Sequence, residues 1–213
     1  MDKANKMFFY EELINAITHG IGFILSIVAL VVLVKTGIKY GDVWYVVSFS
    51  IYGASLIILY LASTLYHSVP KGKIKDIFKI FDHSAIYVLI AGSYTPIALL
   101  VLKGKIGLIF LITVWSIALV GIVFKLFFSK RFKMFSTIMY LAMGWLIVFA
   151  IKPLINNLNF TSTVFLVAGG LVYSVGTIFY LWKNLKFNHA IWHLFVLGGS
   201  VCHFFAVYYL ILN

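Results

Sequence analysis

The chain predicts an all-α fold, a polytopic membrane protein built as a bundle of seven transmembrane helices. Composition is the first reason: of 213 residues, 63% are hydrophobic and only 11% charged, too apolar for a soluble domain. The second is distribution. The apolar residues gather into runs of about 20, the helical length that crosses about 30 Å of hydrocarbon, and the charges collect between them. A net charge of +11 could suggest nucleic acid, but no loop is long enough to form an aromatic and basic surface, and the lysines sit in short connections. They read as topology signals and contacts to anionic lipid.

The runs fall at roughly 13–34, 43–68, 82–102, 106–128, 134–155, 161–182 and 189–211, giving one membrane domain over residues 1–213. Lys3 and Lys6 precede the first run, but Glu11 and Glu12 lie between them and it, and no small-residue cleavage site closes it. An uncleaved first span is expected, not a signal peptide. The third run carries Gly92, Ser93 and Thr95 ahead of Pro96, a pattern of close packing and a kink. Only Ser129, Lys130 and Arg131 part the apolar stretches 104–128 and 132–155, so the boundaries of the fourth and fifth runs are the softest. Gly169 with Gly170, and Gly198 with Gly199, mark tight helix contacts in the sixth and seventh. Trp44, Trp115, Trp145 and Trp182 belong to lipid-facing and interfacial surface. A single cysteine, Cys202, excludes a disulfide framework and any CxxC motif.

Orientation follows from the basic residues. Lys3 and Lys6, then Lys71, Lys73, Lys75 and Lys79, then Lys125, Lys130, Arg131 and Lys133, then Lys183 and Lys186 all fall on one side. The other side holds Lys35, Lys39, Lys103, Lys105 and Lys152. The positive-inside rule therefore predicts a cytoplasmic N-terminus and an outside C-terminus. Rhodopsin-like receptors run the other way, and the seventh span has no lysine to hold retinal.

Histidines inside membrane helices call for a functional reason. His189 and His193 are four residues apart, so at about 100° per residue both imidazoles share one face a turn apart, the chelate spacing for zinc. Ser63 and His67 stand at the same spacing at the end of the second run, and Asp82 opens the third. With the predicted topology His67, Asp82, His189 and His193 all lie at cytoplasmic helix ends, at similar depth. His67, His189 and His193 as neutral imidazoles would leave a tetrahedral zinc ion, Zn2+, with one open position, the pattern of a catalytic site. Asp82 could then orient the attacking water and take its proton, besides serving as an N-cap. Ser63, about 6 Å deeper, could donate a hydrogen bond to a developing oxyanion, or merely bond back to its own helix. Glu12, Asn15 and His19 form a polar stripe facing the bundle interior, with His19 a fourth ligand, a proton relay or, preferred, a hydrogen-bonding support. His203, about 21 Å along the axis from His189, is too far to share one ion and reads as a buried polar residue or part of a route through the bundle. His83 points about 100° away from Asp82 and has no comparable case.

These residues resemble the hemolysin III family, bacterial relatives of the adiponectin and progestin receptors that also resemble the alkaline ceramidases. The likeness rests on Ser63 and His67 of SxxxH, on Asp82-His83-Ser84, and on His189 and His193 of HxxxH. Glu12, Asn15, Thr18 and His19, the Ala91 to Pro96 stretch, Trp192-His193 and Cys202-His203 add to it, from about residue 11 to the end. The resemblance implies a seven-helix fold with a cytoplasm-facing zinc site in a bacterial plasma membrane, and hydrolysis of a lipid amide. The chain lacks the receptors' long N-terminal domain, which removes the case for hormone binding.

Three readings stand. The favoured one is a zinc-dependent intramembrane hydrolase acting on a lipid amide or ester. A non-enzymatic lipid sensor with structural zinc is the second, and a cytolysin the third. Membrane lipids are the expected partners. No motif signals nucleic acid, a soluble protein partner or an oligomeric state.

Overall fold

The computed structural model describes residues 3–128 and 133–212, and among them all regular structure is helical, with no strand. The helices are α1 (Lys3–Tyr40), α2 (Val43–Ser68), α3 (Lys73–Pro96), α4 (Gly104–Phe128), α5 (Lys133–Gly144), α6 (Ile151–Asn157), α7 (Phe160–Leu181) and α8 (Asn188–Tyr208). A π-helical turn, Ile97–Leu102, continues α3, and a 3-10 turn, Leu146–Ala150, joins α5 to α6 as one span. Seven stretches are long and apolar enough to cross a membrane. Lys130 and Arg131, counted above as topology signals, lie outside the described residues.

Two boundaries differ from expectation. The first spanning stretch runs Lys6–Tyr40, with no proline to interrupt it; Asp42 then caps α2, its carboxylate accepting from the amides of Trp44 and Tyr45 at 2.8 and 3.2 Å. The third begins at Lys73, nine residues before Asp82. Ile74, Ile77, Phe78 and Phe81 recur at helical spacing there, but the lysines among them disguise a helix as a loop. Asp82 is consequently not an N-cap; it sits in the third turn of α3. Lys75 and Lys125, read as loop charges, are buried on α3 and α4.

Packing closes a ring. α1 lies against α2, α2 against α3, α3 against α5, α5 against α7, α7 against α8, and α8 back against α1. α4 stands outside on α3. Its buried residues Gly107, Val114, Ala118 and Gly121 form one narrow stripe, and a Cβ on Gly121 would collide with the Tyr87 ring. Most of the rest of α4 faces away from the ring.

Inside the ring, the fifth span breaks after Gly144. Tyr94 of α3 serves the break from both sides: its hydroxyl donates to the Gly144 carbonyl and accepts the Ile147 amide at 3.4 Å. Irregular backbone at membrane depth persists where it is buried in protein or lines a cavity, and Gly144, Ile147 and Val148 do line one.

Candidate metal centre

The polar site forms at one end of the bundle, where α2 finishes and α1, α3 and α8 begin. α2 brings Ser63 and His67 to its inner face, and both are buried. α8 starts after Phe187, which is in the left-handed region at φ 56°, a conformation that costs a non-glycine residue about 1–3 kcal/mol. Asn188 holds that turn by donating to the Phe179 and Tyr180 carbonyls, both at 3.3 Å. His189 and His193 then face His67 one helical turn apart.

Donor atoms of His67, His189 and His193 all lie within 4.8 Å of one another. The two Nε2 atoms of His67 and His189 are 3.3 Å apart. Two nitrogens bound tetrahedrally at 2.0–2.1 Å would stand about 3.3 Å apart. His193 Nδ1 is buried with no hydrogen-bond partner among the described residues. Donor chemistry, spacing and an orphaned ring nitrogen therefore fit a metal ion, and these three histidines could form a metal site.

The far side of His67 is held differently. Its Nδ1 lies 3.4 Å from Glu12 Oε2, and Glu12 in turn pairs with the ammonium of Lys75. Asn15 turns its amide nitrogen to the same Nδ1 at 3.5 Å and leaves its oxygen buried without a partner. A half-turn of that amide would give both neighbours an oxygen for one Nδ1–H. The carboxylate favours that tautomer, which keeps the Nε2 lone pair on the side of His189.

His19 is placed beside the trio, in ring contact with it. Its ring stacks on His193 with centroids 3.5 Å apart and meets Tyr60 edge-on at 5.1 Å, while neither of its nitrogens has a partner among the described residues. Ser63 does not bond back to its own helix: its Oγ is buried and unpartnered, whereas neighbouring Thr64 donates to the Tyr60 carbonyl at 2.7 Å.

A largely apolar cavity of about 1540 Å³, counting space open to the surroundings, leads away from the site. His19, Ser63, Asp82, His189 and His193 line its polar end; Leu59, Ile86, Ile90, Leu141, Ile147 and Val196 line its body. No residue of α4 contributes. His83 and His203 line it too. His83 Nδ1–H donates to the Lys79 carbonyl at 2.6 Å and stands 3.8 Å from Asp82 Oδ2. His203 packs edge-on to Tyr173. Sequence reading missed Tyr140, which donates to the His83 carbonyl at 2.9 Å and lines the cavity, and the network in which Tyr60 and Tyr173 both meet Ser200 Oγ at 2.8 Å. No motif spacing announces such tyrosines. Lys75 did leave a signal, standing two helical turns before Asp82 on the same face.

A family model described as Haemolysin-III related matches residues 7–204. Hemolysin-3 homolog of Bacillus subtilis (strain 168) is 58% identical over 197 residues, 92% of each chain. Hemolysin-3 of Bacillus cereus is 54% identical over 205 residues, covering 96% of this chain and 94% of that one. Monocyte to macrophage differentiation factor of Homo sapiens is 29% identical over 206 residues, 93% of this chain and 84% of that one. No solved structure matches significantly. With seven membrane-spanning helices and a family match over nearly its whole length, the chain belongs to the haemolysin-III related family and is an integral protein of a bacterial membrane.

Proposed function

We propose that the chain is a zinc-dependent hydrolase that cuts an amide or ester bond of a lipid drawn from the bilayer. One observation carries this reading: three convergent histidines stand at the polar end of a long apolar cavity that Ser63 and Asp82 also line. His67, His189 and His193 would hold the ion, which when bound supplies a Lewis acid at its open position. The cavity body takes the hydrocarbon chain and leaves the scissile carbonyl at the polar end. Asp82 takes a proton from the water that adds to the carbonyl carbon and returns it to the departing amine or alcohol, so a fatty acid and a head group leave. The Ser63 hydroxyl, with no partner of its own, donates to the carbonyl oxygen as negative charge develops there. Loop charges favour a cytoplasmic location for this end of the bundle, and a reporter fused to the C-terminus should accordingly be active only outside.

The names of the Bacillus relatives favour lysis as a second reading. The test is zinc content and lipid turnover measured together on wild type and His189→Ala purified in detergent, each incubated with total lipid extracts read by mass spectrometry. About one zinc per chain, with fatty acid released by the wild type and neither in the variant, supports the hydrolase. Stoichiometric zinc with no lipid consumed points to a sensor. Absence of zinc from the wild type overturns the reading, and red-cell lysis that survives His189→Ala would favour a cytolysin.

A further inference from the structure

Lys75 is buried, as Lys125 is, and every one of its donors is occupied. An ammonium has three N–H donors and no acceptor. Lys75 Nζ pairs with Glu12 Oε2 and donates to the carbonyls of Tyr66 at 2.9 Å and Val69 at 3.0 Å. It also lies 4.7 Å over the Tyr66 ring. Tyr66 and Val69 flank His67 at the end of α2, where the last carbonyls of a helix lack intrahelical partners. One side chain of α3 therefore closes the C-terminus of α2 and, through Glu12, ties it to α1.

From this arrangement we propose that Lys75 is a positioning residue for His67. By holding the Glu12 side chain in place, it makes Glu12 Oε2 the acceptor for His67 Nδ1–H and so directs the Nε2 lone pair at the metal position. The proposal rests on the metal reading above and deepens it. Without Lys75, Glu12 loses its counter-charge and its anchor, the α2 terminus loses two donors, and His67 is free to adopt either tautomer. Partners of this kind, one step removed from the ion, typically govern metal affinity by 10–100-fold.

The test measures zinc affinity by chelator competition on full-length wild type, Lys75→Met, Glu12→Gln and the double variant. The 15N signals of His67 in metal-free proteoliposomes, assigned by difference against His67→Gln, are recorded alongside. Expected is a 10–100-fold loss for each single variant, no further loss in the double, and a His67 that carries its proton on Nδ1 in the wild type but is mixed in Lys75→Met. A role confined to stability would move neither the tautomer nor the additivity. Affinity within twofold of wild type in Lys75→Met, or losses that simply multiply in the double variant, would overturn the proposal. Should Lys75→Met not accumulate folded, Lys75→Arg replaces it. A guanidinium keeps the charge without matching the three acceptors, so affinity should drop where Glu12 is retained and not in the Glu12→Gln background. An equal drop in both backgrounds, or none in either, counts against it. A wild type that binds no zinc would sink the metal reading alone, and the tautomer of metal-free His67 would still decide what Lys75 does.

Discussion

The two sides of His67 differ in how the fold treats their polar atoms. On the outer side, Glu12, Lys75 and the α2 carbonyls satisfy one another, although Asn15 Oδ1 stays unpaired. On the inner side, His193 Nδ1, both nitrogens of His19 and Ser63 Oγ are buried without partners among the described residues. Folded proteins pair nearly all buried polar groups, because each one left unpaired costs about 1–3 kcal/mol. Several orphans gather at one end of one cavity, where the proposed reading places its ligand. Deeper in the bundle, the trio of Tyr60, Ser200 and Tyr173 shows the ordinary solution, a closed network joining α2, α7 and α8.

The largest effect that would break this contrast comes from the three histidines themselves. Replacing His67 by alanine removes one of three ligands and should weaken zinc binding about a thousandfold, as read with a chromophoric chelator. Unchanged affinity would mean that the orphaned nitrogens await something other than a metal. Next comes Ser63→Ala, which should lower lipid turnover about a hundredfold without lowering stability, since the hydroxyl gives up no hydrogen bond and its unpaired burial is relieved. A clear loss of thermal stability in that variant would show Ser63 to be structural. Tyr60→Phe is its mirror image and the smallest of the three. It strips a donor from a satisfied network, so it should cost about 1–3 kcal/mol in detergent unfolding and leave zinc affinity where it was.

Much of the architecture was legible because it is local. About 20 apolar residues in a row commit a segment to the membrane whatever its neighbours do, and the runs at 43–68, 106–128 and 161–182 lie within two residues of the observed helices. Histidines four apart share a helix face in any tertiary setting, which is why His189 and His193 could be paired on sight. Lysine-rich stretches were the weak point. Lys73, Lys75 and Lys79 made residues 73–81 look like a connection, although a lysine on a helix can extend its head to the membrane boundary or, as Lys75 does, turn inward to a carboxylate.

The order of residues thus determined the seven spans, the two i, i+4 motifs and the gathering of the key polar residues at one end, since hydropathy and helical periodicity act over one or two turns. Only the tertiary structure decided which nitrogen faces which. His67 and His189 are 122 residues apart in the chain and Glu12 and Lys75 are 63 apart, so their meeting depends on how each helix is rotated and tilted against its neighbours. The same packing set His19 flat on His193, left α4 outside the ring and extended the cavity as far as His203. Rotations of that kind are settled by the fit of whole helix surfaces, in which glycines such as Gly121 matter for the side chain they lack, and no window of sequence contains both surfaces at once.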